Sequence, residues 1–277
     1  VNSLAKQLLE TADQAARHVG VRIKSTLYQS EGVDIQFKGT NDLVTEVDIW
    51  SEKEIAKIIL SKYPDHRIIG EEDTAANSKS LLELSKEAAK DGVVWCVDPI
   101  DGTKNFANKV PHVCVSIGAQ VNNERVMGLV YDPFREEMFT AIKGEGAFLN
   151  GKKISASKKT KVADAMAAIG FPSDMNWSRH LALFDSLVTN ARGLRVTGSA
   201  ALDQCWVACG RFDAFLEYNL KPWDIHGGSL IVEEAGGKLS NFAEPADKQF
   251  SVFDNSYLCA CPGIFAELLG LARSAKS

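Results

Sequence analysis

Four acidic side chains stand where the chain would leave a sheet. Glu71 follows the apolar run "RIIG", Asp98 and Asp101 follow "VVWCV", and Asp224 comes just after "FDAFLE". In open α/β sheets, ligands bind at such strand exits. Singly, each acid has a plain explanation. Asp101-Gly102 is a common turn pair, and Asp224 suits the first turn of a helix. Glu71-Glu72 reads as a solvated acidic turn, and Asp48 as the far end of a capping box begun by Thr45. Together they ask for more, because carboxylates forced into one cleft repel each other unless cations neutralise them. Carboxylates, a backbone carbonyl and water form the all-oxygen set that Mg²⁺ prefers.

The stretch "CVDPIDGT", residues 96–103, adds a second kind of chemistry. Pro99 stiffens the turn and helps aim the carbonyl of Ile100. Gly102 leaves room for close backbone approach. Thr103 opens a predicted helix, whose first N–H groups suit a phosphate. Cation ligands on one side and anion donors on the other point to metal-assisted phosphoester hydrolysis.

The elements that must position these residues are legible from periodicity. Leu4, Leu8, Ala12, Ala15, Val19 and Ile23 predict a long opening helix. A second helix carries Ile55, Ile58 and Ile59 and stops before Pro64. "RIIG" and "VVWCV" read as buried strands, and residues 74–92 as a surface excursion with a helical turn or two. Alternation through "HVCVSIGAQV", "RVMGLVY" and "EEMFTAI" predicts an antiparallel meander, closed by an Asn150-Gly151 hairpin turn. The second half alternates strand and helix. "AMAAIG", "GLRVTG", "FDAFLE" and "YLCAC" are strands. Helices cover "WSRHLALFDSLV", a segment capped by Ser199 and ending at Gly210, one opened by Pro222 and ending at Gly236-Gly237, and "IFAELLGLA". The expectation is one layered α/β unit spanning 1–277, with unlike halves of about 1–155 and 156–277.

Bulk properties exclude several classes. The net charge is −5 and no basic stripe stands out, so nucleic-acid binding by phosphate neutralisation is not expected. No apolar run approaches the ~20 residues of a membrane span. The amphipathic, acid-bearing N-terminal stretch reads as neither a signal nor a transit peptide. Six cysteines lie mostly in apolar segments without a C-x-x-C pair, which predicts buried thiols in a reducing, cytoplasmic setting. Cys205 and Cys209, four apart, read as helix packing, since no partners complete a zinc set.

"GEED", "WCVDPIDGTKNF", "GSAALD" and "PWDIHGG" together resemble the inositol monophosphatase family of magnesium-dependent, lithium-sensitive phosphatases. The resemblance runs from about Asp42 to Gly237 and takes in "KGTNDLVTEVD" and "GKKISAS". It implies an αβαβα sandwich of the sugar-phosphatase type, antiparallel in its first half and mixed in its second. It implies two to three Mg²⁺ ions. Glu71, Asp98 and the carbonyl of Ile100 would hold the first, and Asp98, Asp101 and Asp224 the second, with a weaker third near Glu71. Thr103, oriented by Asp48 in place of the capping box, would help activate the attacking water. Gly102 and Thr103 N–H groups would receive the phosphate. Asp101, Ala200, Glu217 and Asp224 would touch substrate hydroxyls, and Lys38 would approach the metals from a loop.

The implied reaction is hydrolysis of myo-inositol 1-phosphate or a similar polyol or sugar monophosphate by metal-activated water, without a histidine base. The implied assembly is a homodimer with a small-molecule phosphate ester as its other partner. Lys104 departs from the usual Thr or Ser of the family and resembles the branch that cleaves 3′-phosphoadenosine phosphates. That substrate, fructose 1,6-bisphosphate, histidinol phosphate and galactose 1-phosphate therefore stay open alternatives. So does a non-catalytic binding or regulatory protein on the same fold.

Overall fold

Period-two alternation from Val93 onward produces a sheet whose strands follow one another in chain order. The structure, a computed structural model, describes residues 2–28, 35–37, 43–171, 177–243 and 248–275. The amphipathic opening segment forms α1 (Asn2–Leu27), which buries Ala5, Leu8, Ala12, Ala15, Val19 and Ile23 on one face. Two three-residue strands, β1 (Ile35–Phe37) and β2 (Leu43–Thr45), pair antiparallel ahead of α2 (Glu46–Lys62).

The large sheet runs β3 (Arg67–Gly70), β4 (Val93–Asp101), β5 (Cys114–Val121), β6 (Glu124–Asp132), β7 (Glu137–Ile142), β8 (Gly146–Leu149) and β9 (Lys152–Lys153). All its pairings are antiparallel except β3 with β4. That parallel pair departs from the pure meander expected. The excursion between the two strands holds α3 (Glu71–Ala76) and α4 (Leu81–Ala88), so the chain crosses back before re-entering the sheet. Asn150 and Gly151 take φ of 48° and 75°, the left-handed pair that a tight hairpin requires.

The smaller sheet has the order β11 (Gly193–Arg195), β10 (Met166–Ile169), β12 (Ala214–Tyr218), β14 (Ser256–Ala260) and β13 (Lys238–Ser240). β10 pairs parallel with both its neighbours, and the β14 pairings are antiparallel, so this sheet is mixed. The remaining helices are α5 (Thr103–Ala107), α6 (Trp177–Asn190), α7 (Ala200–Ala208), α8 (Pro222–Glu234) and α9 (Phe265–Ser274).

Five layers result. α1 and α2 cover one face of the large sheet, α7 and α8 fill the space between the sheets, and α6 and α9 cover the far face of the small sheet. Each interface has its own apolar core, centred on Trp95 and Ile55, on Phe139 and Phe215, and on Leu216 and Leu258. α8 lies close against β5 and β6 because glycines let it. A Cβ at Gly118 would stand 2.1 Å from His226 Nδ1, and one at Gly128 would stand 2.3 Å from the Gly227 carbonyl. All six cysteines are free thiols, five of them buried. No helix among the described residues is long and apolar enough to cross a membrane.

Candidate metal centre

β4 delivers its two aspartates through an irregularity. Asp98 pairs with Ser116 and Asp101 with Cys114, so three steps on β4 match two on β5. In a regular strand, residues three apart face opposite sides. The extra residue of this bulge restores them to the same side. Pro99 falls inside it, where no ladder donor is needed. Asp224 arrives from α8, at its third residue, where its Oδ2 accepts the Lys221 N–H at 2.7 Å. Asp98, Asp101 and Asp224 each present an oxygen, and the three lie within 4.8 Å of one another. Two are buried and Asp224 is half-buried.

Glu71 lies outside that trio but beside it. Gly70 pairs with Val97 in the parallel β3–β4 ladder, so Glu71 begins α3 level with Asp98. Among neighbouring charges, that of Glu71 acts most strongly on Asp98, ahead of Asp101, Asp224 and Asp48. Burial first, and these charges second, hold the Asp98 carboxyl well above the usual carboxylate range. Burial and the Asp101 charge push Asp224 up to about 7, against the opposing Lys221 N–H. Burial also raises Asp101, while its donors Ser199, Ala201, Cys114 and Ala200 pull the other way.

Those donors make Asp101 the cap of α7. Its Oδ2 accepts the Ser199 hydroxyl at 2.5 Å and the Ala201 N–H at 2.8 Å, and its Oδ1 accepts the Ala200 N–H at 3.2 Å. Ser199 occupies the N-cap position but makes no side-chain cap bond to its own helix. The expectation that Ser199 caps α7 is therefore corrected: a carboxylate from the other sheet does so, and Ser199 donates to it.

Thr103 opens α5 behind Gly102, whose φ of 98° and whose close neighbours, the carbonyls of Gly198 and His112, exclude a side chain. The Thr103 hydroxyl lies 3.1 Å from Asp48 Oδ1 and 3.1 Å from the Ile100 carbonyl, two acceptors for its one proton. Both its lone pairs are thus left to accept. Asp48 is fully buried and also forms the capping box with Thr45. The reading in which orientation of Thr103 replaces the capping box is therefore corrected, since the carboxylate does both with different oxygens.

Ala200 is buried beside Asp101, and Glu217 is buried on β12. Burial, then the Asp224 charge, raises the Glu217 carboxyl well above its ordinary range. Lys104 is exposed on the first turn of α5, and its positive charge works against that rise. Lys38 lies outside the described residues.

Several supporting side chains escaped the sequence reading. Gln204 ties α7 to α8 by donating to the Ala200 and Asp224 carbonyls, and Ser116 donates to the Trp223 carbonyl. Asn105 joins the two halves by donating to the carbonyls of His112 and Thr197. The contacts that cross between elements, Gln204 with Asp224, Ser116 with Trp223 and Asn105 with Thr197, are distant in sequence, so no local pattern announces them.

The donor set fits a divalent cation. It consists of hard carboxylate oxygens, mutually repelling and buried, which is the environment that Mg²⁺, Mn²⁺ or Ca²⁺ stabilises and a soft thiolate site does not resemble.

Comparison with known proteins agrees with this geometry. The sequence profile of the inositol monophosphatase family matches residues 4–276. The protein named Nus factor SuhB of Haemophilus influenzae is 41% identical over 269 residues, covering 96% of each chain. Inositol monophosphatase 2 of Solanum lycopersicum is 40% identical over 89% of this chain and 91% of its own. Among solved structures, the staphylococcal inositol monophosphatase II with inositol monophosphate bound superposes with a TM-score of 0.75 at 29% identity, over 95% of this chain and 93% of the other.

Proposed function

This chain belongs to the inositol monophosphatase family, and from that premise we propose that it is a Mg²⁺-dependent phosphomonoesterase acting on myo-inositol 1-phosphate or a similar polyol monophosphate. One observation carries the reading: Asp98, Asp101 and Asp224 gather from two strand-and-helix junctions, and β4 runs on directly into Gly102 and Thr103. Glu71, Asp98, Asp101, Asp224 and the Ile100 carbonyl would hold the ions, two or three in number. Bound there, divalent ions acidify water and offset charge on the transferring phosphoryl group.

The chain's own residues do the rest. The N–H groups of Gly102 and Thr103 receive a phosphate oxygen at the start of α5. The Thr103 hydroxyl, its proton directed to Asp48, accepts a hydrogen bond from the attacking water and so fixes its approach. Ala200, Glu217, Asp101 and Asp224 line the side where the alcohol would sit. The solved relative with inositol monophosphate bound supports a polyol ester as substrate. Inhibition by Li⁺ and homodimerisation belong to the same reading.

The test is phosphate release, with and without Mg²⁺, from inositol 1-phosphate, galactose 1-phosphate, fructose 1,6-bisphosphate, histidinol phosphate and 3′-phosphoadenosine 5′-phosphate. The highest kcat/KM should fall on inositol 1-phosphate or a polyol analogue. No conversion of any ester would defeat the reading.

A second reading is favoured by the relatives named Nus factor SuhB, a name for work other than hydrolysis. In that reading the fold serves as a binding or regulatory protein. Failure of every ester above in a protein that still binds Mg²⁺ would favour it.

A further inference from the structure

The Glu52 carboxylate caps a helix that is not its own. α3 begins after Gly70, which has no side chain with which to cap it. Glu52, reaching from α2, accepts the Glu72 N–H at 2.8 Å with Oε2 and the Asp73 N–H at 2.7 Å with Oε1. Only 7% of Glu52 is exposed. Gly70 makes the room, since a Cβ there would lie 2.5 Å from Glu52 Cδ and Oε2. Asp48 sits one turn earlier on the same helix, and residues four apart share a helix face. Along that face α2 holds Thr103 with one carboxylate and the start of α3 with the next.

We propose that Glu52 is a positioning residue for Glu71: by clamping the first turn of α3 it delivers the Glu71 carboxylate beside Asp98. The proposal rests on reading Glu71 as a metal ligand. A carboxylate offers an acceptor at each end, and charge-assisted bonds to backbone N–H groups are stronger than neutral ones. An amide at the same place would turn an NH₂ towards one of the two N–H groups. Glu52→Gln therefore loosens the turn without emptying the space.

The experiment titrates Mn²⁺, read by electron paramagnetic resonance, into the full chain as wild type, Glu52→Gln, Glu71→Gln and the double variant, with melting temperatures in EDTA alongside. Glu52→Gln should weaken Mn²⁺ about tenfold, as loss of a ligand's supporting partner does. The double variant should be no weaker than Glu71→Gln alone, since coupled residues do not add. Gly70→Ala, which crowds the same carboxylate, should also weaken Mn²⁺, and it carries the comparison if Glu52→Gln fails to fold.

A lower melting temperature with Mn²⁺ affinity unchanged would make Glu52 an ordinary cap and overturn the proposal. So would additive losses in the double variant. Wild type that binds Mn²⁺ but hydrolyses no ester would defeat the proposed function while leaving the Glu52 coupling measurable. Wild type that binds no Mn²⁺ would overturn both.

Discussion

The Asp101 carboxylate and the Ser199 hydroxyl, 98 residues apart in the chain, meet at 2.5 Å. The contact joins the end of β4 to the start of α7, so a helix wedged between the sheets is anchored to a metal-ligand candidate from the large sheet. Ser199→Ala removes one of the four donors that favour the charged carboxylate. A hydrogen bond to a charged group contributes about 2 kcal/mol, so the variant should melt several degrees lower and need more Mg²⁺ for half-maximal activity. Thermal unfolding and a Mg²⁺ activation curve check both.

Thr103→Val tests the water-positioning role. The hydroxyl sits between Asp48 and Ile100, and valine keeps the branched shape while removing it. Loss of a group that orients the attacking water lowers kcat by about 100-fold. Mn²⁺ affinity should stay close to wild type, because the carboxylates are untouched. A parallel loss of Mn²⁺ binding would contradict the assigned role.

Gly128→Ala tests how the fold holds Asp224. The new Cβ would press on the Gly227 carbonyl of α8. Overpacking of this kind costs about 1–3 kcal/mol. Because Asp224 rides on the same helix, Mn²⁺ affinity should fall along with stability. Unchanged affinity would mean that α8 shifts without moving its first turn.

The pH dependence of the metal-free protein has a defined sign. Asp224 is raised to about 7, above the ordinary unfolded value, so the native state binds more protons than the unfolded state between about 4 and 7. Its contribution to stability is present at low pH and is lost as pH rises through 7. His112, lowered to about 4 by burial and Arg135, acts oppositely, and its contribution is lost as pH falls below 6.5. Asp98 and Glu217, also raised, act in the same direction as Asp224, and the buried His226, lowered to about 3, acts with His112, so the difference between wild type and Asp224→Asn is what isolates Asp224. In EDTA the wild-type melting temperature should fall relative to that of Asp224→Asn as pH rises from 6.5 to 8, and Mg²⁺ should raise the wild-type curve more at pH 8 than at 6.5.

Much of this was readable from the chain because it depends on local periodicity. The alternation from Val93 onward fixed the strands, Asn150-Gly151 the hairpin and Pro222 the start of α8. The acids at strand exits were visible for the same reason. What escaped depends on contacts distant in sequence. Ser199 has the type and place of a cap, yet a carboxylate from another sheet outcompetes it. Asp48 reads as serving one partner and holds two, since a carboxylate has two ends. The β3–β4 pair is parallel because the crossover, not the strands' own residues, sets direction.

The most direct measurement is anomalous diffraction from a crystal soaked in Mn²⁺ with phosphate. Mn²⁺ peaks are expected among Asp98, Asp101, Asp224 and Glu71, with phosphate against the N–H groups of Gly102 and Thr103. Well-ordered carboxylates without a Mn²⁺ peak among them at saturating metal, or peaks confined to other surfaces, would contradict it.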